Sequence, residues 1–447
     1  MIGFPAHPRC LPVMFFTEMW ERFSFYGMNA LLVLYLVLPA ADGGLGYTAE
    51  RAAILYGNYT LLLYLLAIVG GWVADCWIGQ KMAVLAGGMV IAAGHFVIAL
   101  GSVANLYIGL GCVAIGTGFL KPNISSLVGR LYAADDPRRD AGFSLYYMGI
   151  NLGAFLAPLA CGYLAQSEGF RNWLGQAGFD PRGSWHWGFG AAGVGMLAGL
   201  VTFLRAWREI PADATPRRVA RDDAAAAPPL SRGELMQRFL SISFFCVCAI
   251  LFFAVLKQSG SSMNLFADRL TRTEVLGFSF PSSWFQSVGP AFIIVLAPLF
   301  SRLWLRLGSR QPSSPAKAIL GLWGAATCMG LMAVAAWLAV TGRVSPFWLV
   351  AAYAAQTVGE LCLSPVGLSN VARLSPSAIT GLMMGVWFLA IGLGGKLAGS
   401  LAAGFGRSEP GELAGVFGRQ ALWLAVFAVL LALLVPWVRR VINRVNG

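Results

Sequence analysis

A chain of 447 residues with 57% hydrophobic and only 12% charged side chains is not a soluble globular protein, which would carry about twice that charge. The formal net charge of +12 would suit nucleic-acid binding in a soluble chain. Here the arginines gather between apolar runs on one side, where they set membrane topology, so nucleic acid is excluded as a partner. The eight cysteines lie mostly inside apolar runs and lack metal-ligand spacing, so they read as small buried residues rather than as disulfides or a metal site.

Repeated apolar runs of about 20 residues define a polytopic membrane protein, all-α and folded as one bundle assembly. Residues 1–11 lack the basic region, short apolar core and small-residue cleavage site of a signal peptide, so the first helix is expected to stay as a signal anchor. In chain order the predicted spans are roughly 12–38, 52–74, 82–103, 106–128, 142–165, 187–206, 239–266, 284–306, 317–340, 346–371, 379–403 and 420–440, about twelve in all. Placing both termini in the cytoplasm puts about 20 of the 32 Lys and Arg residues in cytoplasmic segments and about 8 outside. The polar stretch "PADATPRRVARDDAAAAPPLSRGE" is expected to be a cytoplasmic linker over 207–238, joining six-helix halves over 1–206 and 239–447.

The first span, "FFTEMWERFSFYGMNALLVLYL", carries Glu18, Glu21 and Arg22. A charge costs about 2.5–3.5 kcal/mol at the centre of a membrane helix, so each must face protein, water or another charge. Glu18, Arg22, Tyr26 and Asn29 recur at i, i+4, i+8 and i+11 and share one helix face, with Glu21 beside it. A cation from another helix would compete for these carboxylates, as a proton switch requires. In the third and fourth spans, "GGMVIAAG" and "GLGCVAIGTG" space small residues for close helix packing, and His95 reads as a core imidazole with a local partner. Lys121 precedes Pro122 in "GTGFLKPNISSLVG", where a kink would aim it inward. Asn151, with Tyr146 and Tyr147, lies in "FSLYYMGINLGAF" and reads first as an interhelical hydrogen-bonding residue. Lys257 stands in a span with no acidic neighbour on its own helix. Gly289 and Pro290 are placed to bend the eighth span. Glu360 and Pro365 share the interrupted span "YAAQTVGELCLSPVGLS", and Lys396, among glycines, reads as packing or snorkelling. Charged groups from several helices, with aromatics around them and no phosphate loop, metal cluster or nucleophile–base spacing, describe a transporter of zwitterionic or anionic solutes rather than an enzyme.

These segments resemble one family. "EMWERFSFYGM" is similar to the ExxERFxYY signature of the proton-dependent oligopeptide transporters, a branch of the major facilitator superfamily, and "GTGFLKPNISSLVG" and "FSLYYMGINLG" resemble its fourth- and fifth-helix blocks. "GGWVADCWIGQK" resembles the superfamily's cytoplasmic motif, with Asp75 as a conformational latch. "RQPSSPAK", "GELCLSPVGLS" and "GLMMGVWFLA" match blocks of the second half. The resemblance implies two six-helix bundles in the bacterial inner membrane, working as a monomer, with the proton as coupling ion, no other cofactor and no metal. It assigns proton coupling to Glu18, Glu21, Arg22 and Lys121. It gives the peptide carboxylate to Arg22 and Lys121, the amino terminus to Glu360, the backbone to Asn151, and pocket aromatics to Tyr26, Tyr64 and Trp387. Asn29, Phe253, Lys257, Trp284, Gly289 and Ser364 complete the expected substrate set.

Departures from the family pattern fall at Asn29, where an Arg is usual, and at Lys257, where a Glu is usual. Phe25 replaces a Tyr, Phe253 a Trp, and Gly289 an Asn that binds peptide backbone. Arg to Asn removes one positive charge and Glu to Lys adds two, so the set of charges is one unit more positive. The leading expectation is a proton-coupled importer of di- and tripeptides. The alternatives are a carrier of other small anionic or amphoteric solutes with altered coupling, and a peptide-binding membrane sensor.

Overall fold

The computed structural model describes residues 4, 7–133, 136, 138–210, 231–376, 379–407 and 410–446. Most of the expected linker therefore lies outside the described residues. Helices dominate: α1 (Leu11–Val37), α2 (Ala49–Val73), α3 (Gln80–Ala99), α4 (Val103–Arg130), α5 (Arg139–Gln166), the short α6 (Glu168–Gln176) and α7 (Ser184–Arg205) come first. They are followed by α8 (Arg232–Leu256), the short α9 (Ser262–Leu270), α10 (Val288–Leu307), α11 (Ser314–Leu338), α12 (Phe347–Leu374), α13 (Thr380–Ala402), α14 (Pro410–Ala432) and α15 (Val435–Asn446). Among the described residues, eleven segments are long and apolar enough to cross a membrane. The 27-residue α1 is not one of them, because its charged turn lowers its hydropathy, yet it has the length of a span.

Contacts gather the chain into two units. The first comprises Met1–Ala52, Leu62–Arg218 and Thr273–Ile294; the second comprises Ala53–Leu61, Val219–Arg272 and Val295–Gly447.

In the first unit α1 packs on α5 and α7, and α3 forms an antiparallel pair with α4. That pair depends on glycines seven residues apart on each helix. A Cβ on Gly87 would stand 2.6 Å from the Gly116 carbonyl oxygen, and one on Gly94 would stand 2.8 Å from the Gly109 oxygen. Both distances are below any real contact, so the backbones meet only because side chains are absent, as the small-residue spacing predicts. After α2 a π-helical turn (Ala74–Ile78) carries Asp75, and Gly79 at φ +78° turns the chain into α3. His95 is fully buried with its Nε2 2.6 Å from Ser24 Oγ on α1, in keeping with a core histidine.

In the second unit α11 packs on α12 and α14, and α8 packs on α12 and α13. Helix α8 begins at Arg232, earlier than the span expected from 239, because Ser231 and Glu234 form a capping box. The last expected span, 420–440, is replaced by α14 and the separate amphipathic α15. Pro436 cannot continue a helical hydrogen-bond ladder, and α15 buries Val438 and Val441 while exposing Arg439 and Arg440. Gly289 and Pro290 lie in the first turn of α10, just after a 3-10 segment (Ser282–Ser287), not in mid-helix. Proline is tolerated in a first turn, where its missing N–H has no helical partner. Pro122 and Pro365 lie inside α4 and α12, both of which continue past them. Cys76 is exposed and Cys112 half-buried, while the other six cysteines are buried; all eight are free thiols.

Candidate functional site

The first unit holds a compact ionic cluster. Glu18, Glu21 and Arg22 are 2%, 1% and 4% exposed, deep enough that each charge needs a partner. One helical turn supplies it: Arg22 Nε lies 3.1 Å from Glu18 Oε1 and also bonds Glu21 Oε2. One guanidinium thus serves two carboxylates. Glu18 Oε2, Glu21 Oε1 and Arg22 Nη2 are buried and make no hydrogen bond among the described residues. Buried polar atoms with unused hydrogen-bonding capacity are costly, which sets this turn apart from an ordinary packed helix.

Two acids and one base leave this turn one unit negative, and Lys121 on α4 is within electrostatic reach of Glu21. Lys121 Nζ sits 4.8 Å from the Tyr64 ring centroid, a cation–π contact that holds it over α2. Behind Pro122, Asn123 Nδ2 donates to the Phe119 carbonyl at 2.7 Å and Ser126 Oγ to the Pro122 carbonyl at 3.0 Å, so side chains support the backbone of this segment. Tyr26 and Tyr146 both reach Arg22 electrostatically, and Tyr146 Oη is 3.3 Å from Ser125 Oγ. Phe25, in place of a tyrosine, puts its ring 5.2 Å below the Arg22 guanidinium. Asn29 is buried, and its Oδ1 makes no hydrogen bond among the described residues.

Other expected site residues of this unit have structural work. Asn151 Nδ2 donates to the Tyr147 carbonyl one turn back at 2.9 Å. Trp284 Nε1 donates to the Leu159 carbonyl at 3.1 Å, and Ser287 Oγ to the Phe155 carbonyl at 2.7 Å, pinning the 3-10 segment before Gly289 along α5. Asp75 is exposed and accepts from Gln80 Nε2 at 3.3 Å.

The second unit is organised differently. Lys257 caps the C-terminus of α8, where the helix tightens into a 3-10 turn (Lys257–Gly260). It is half-buried, as is Glu360 on α12, and its charge reaches that carboxylate. The two helices meet where Phe252 packs against Gly359, 3.0 Å from where a Cβ would stand. Ser364, one turn beyond Glu360, has a buried Oγ that makes no hydrogen bond among the described residues. Trp387 is 2% exposed and lies against Gly367, and Phe253 is buried edge-on to Phe252.

Next to Lys257, the fully buried Gln258 donates through Nε2 to the Ala254 carbonyl at 2.9 Å and to Gln420 Oε1 on α14 at 2.8 Å. Its own Oε1 accepts from Ser262 Oγ at 2.8 Å. Sequence reasoning missed this network, since 162 residues separate the two glutamines. Lys396 also has a specific partner, donating Nζ to Asn58 Oδ1 beside the close approach of Gly57 and Gly399. Among the described residues no group of His, Cys, Asp and Glu is arranged to hold a metal ion.

Comparison with known proteins follows the same lines. Residues 81–220 and 231–410 match the family model described as POT family. "Peptide transporter YePEPT" of Yersinia enterocolitica is 35% identical over 510 aligned positions, covering 99% of this chain and 97% of that one. "Uncharacterized transporter YclF" of Bacillus subtilis is 37% identical, covering 87% of this chain and 86% of its own. The fold superposes with a TM-score of 0.88 on a crystal structure of a mutant peptide transporter POT in complex with alafosfalin, at 35% identity and with 98% and 97% of the two chains covered. A POT family transporter in complex with 5-aminolevulinic acid gives a TM-score of 0.84 at 27% identity, with 98% of each chain covered. Matched over most of its length in both sequence and fold, the chain belongs to the POT family of membrane transporters.

Proposed function

We infer that this protein is a secondary active transporter, not an enzyme, importing di- and tripeptides together with protons by alternating access. The observation that carries the proton-coupled reading is the sharing of Arg22 by Glu18 and Glu21 in a sealed turn, with Lys121 in reach. Protonating one carboxylate removes half of the claim on Arg22 and frees the guanidinium for a substrate carboxylate, which it can hold through two parallel bonds. Proton and peptide are thereby linked through one side chain. Arg22 and Lys121 receive the peptide carboxylate, Glu360 the amino terminus and Asn151 the backbone. Tyr26, Asn29, Tyr64, Phe253, Lys257, Trp284, Gly289, Ser364 and Trp387 shape the rest of the substrate environment, and Asp75 acts as a latch. The halves correspond to 1–206 and 239–447, the protein works as a monomer in the plasma membrane, and both termini are cytoplasmic. A membrane potential supplies about 2.3 kcal/mol per charge per 100 mV, enough for roughly fifty-fold accumulation with one proton.

A second reading is favoured by Lys257. Its cation in reach of Glu360 makes the second unit more attractive to anions than a glutamate there would. Small anionic or amphoteric solutes are therefore the alternative cargo. Labelled dialanine uptake into liposomes with an imposed pH gradient and membrane potential decides between them. Gradient-dependent accumulation, suppressed by unlabelled dipeptides, is expected. Dialanine binding without gradient-dependent uptake overturns symport, and displacement by small anions but not by dipeptides moves the assignment to the second reading.

A further inference from the structure

The second unit has a cationic cavity lined by none of the residues assigned above to peptide transport. It has a volume of about 390 Å³ and is lined by Arg272, Leu338, Thr341, Arg343, Val344 and Trp348, among others. No lining residue is acidic. Two arginines supply its charge, and the first turn of α12, a helix of 28 residues, opens beside it with the positive end of its dipole.

The arginines are positioned by the backbone rather than left loose. Arg272 N donates to the Val344 carbonyl at 2.9 Å and Arg272 Nε to the Arg343 carbonyl at 3.0 Å, across a parallel bridge between Thr271 and Val344. Thr341 Oγ1 is committed to the Leu338 carbonyl, and Ser345 Oγ accepts the N–H of Phe347. The loop is thus braced from within while its two guanidinium groups lie at the surface.

The residues flanking the lining in sequence point to its occupant. Trp337, Val340 and Phe347, each next in the chain to a lining residue, are 67%, 60% and 70% exposed and form an apolar and aromatic rim at the ends of two spans. Such residues settle at the boundary between hydrocarbon and headgroups. A free anion would satisfy the arginines and leave this rim unused. A phospholipid satisfies both, with its phosphate between the guanidinium groups and its chains along the rim. We propose that the cavity formed by Arg272, Arg343 and the start of α12 binds the phosphate headgroup of an anionic phospholipid.

The test is native mass spectrometry of the full-length protein after reconstitution in phosphatidylcholine vesicles containing phosphatidylglycerol. Wild type is expected to retain phosphatidylglycerol in preference to phosphatidylcholine. Arg343→Gln leaves intact the carbonyl that holds Arg272 and should reduce that retention roughly tenfold, as for one lost charge-assisted contact. Arg343→Lys should keep most of it. Melting temperature in pure phosphatidylcholine separates folding from binding and should match wild type in both variants. Equal retention of the two lipids by wild type, or of phosphatidylglycerol by wild type and Arg343→Gln, overturns the proposal. An Arg343-dependent stabilisation produced equally by inorganic phosphate overturns the lipid assignment in favour of a free anion.

Discussion

The charged turn of α1 and the break after α8 place polar groups inside apolar helices in opposite ways. In the first unit, two acids and one base within five residues pair on a single helix, with the cation of Lys121 in reach from α4. In the second unit, neutral amides from distant segments close a hydrogen-bonded network around Gln258, while the charges of Lys257 and Glu360 stay on separate helices. The first arrangement is the one we propose as the proton switch, because adding a proton would change who holds Arg22. The amide network does not answer to a proton, because Gln258, Gln420 and Ser262 do not titrate. The units are therefore expected to divide the labour, with switching in α1 and a fixed scaffold beside Lys257.

The largest effect tests the first half of that contrast. Arg22→Gln leaves two buried carboxylates without their cation, and breaking a buried pair costs about 3–5 kcal/mol. Proton-driven peptide uptake should be abolished and the melting temperature lowered. Gradient-driven uptake by this variant would show that the switch lies elsewhere. A smaller loss, about 1–3 kcal/mol, is expected for Gln258→Leu, which strands Gln420 Oε1 and the Ser262 hydroxyl. Adding Gln420→Leu should restore part of it in thermal unfolding, because both partners of one bond are then gone. Dependence of either loss on pH between 5 and 8 would contradict a non-titrating scaffold.

Lys257 tests the charged part of the second unit. Lys257→Gln should lower peptide uptake roughly tenfold, the worth of one close charge, with little change in melting temperature. Lys257→Glu, which sets two carboxylates in reach of each other, should lower it further. Wild-type rates in both would remove Lys257 from function. The smallest effect lies outside the membrane, in the segment between α4 and α5. Hydrogen bonds from the Arg138 side chain and backbone hold the Asp136 carboxyl down at about 2, against an ordinary 3.8. Because the folded value is depressed, the stabilisation is present above the ordinary value and disappears as pH falls through about 2. Carboxyl titration by NMR should show this midpoint and lose it in Arg138→Gln, with no change in transport.

Some of the site was legible in the chain because its physics is local. Glu18, Glu21 and Arg22 are linked by helical spacing alone, so their pairing follows once the segment is helical. The glycines of α3 and α4 announced a close approach for the same reason, and the capping box "SRGE" marks the start of α8, although hydropathy placed that span later. The polar C-terminal end of the last span misled hydropathy in another way. Its leucines run on to Pro436, and only the observed split between α14 and α15 separates a spanning helix from an amphipathic one.

What the sequence by itself determined is the class and the local pattern: a helical membrane protein, a charged turn at Glu18, Glu21 and Arg22, and membership expected from motifs spread along the chain. Only the tertiary structure decided which distant side chains answer one another: Ser24 with His95, Lys396 with Asn58, Gln258 with Gln420, and Arg272 with the backbone of Arg343. The reason is physical. A pattern along one helix is set by a fixed rise and twist per residue, whereas a contact between helices depends on how whole faces pack, which no short stretch of sequence encodes.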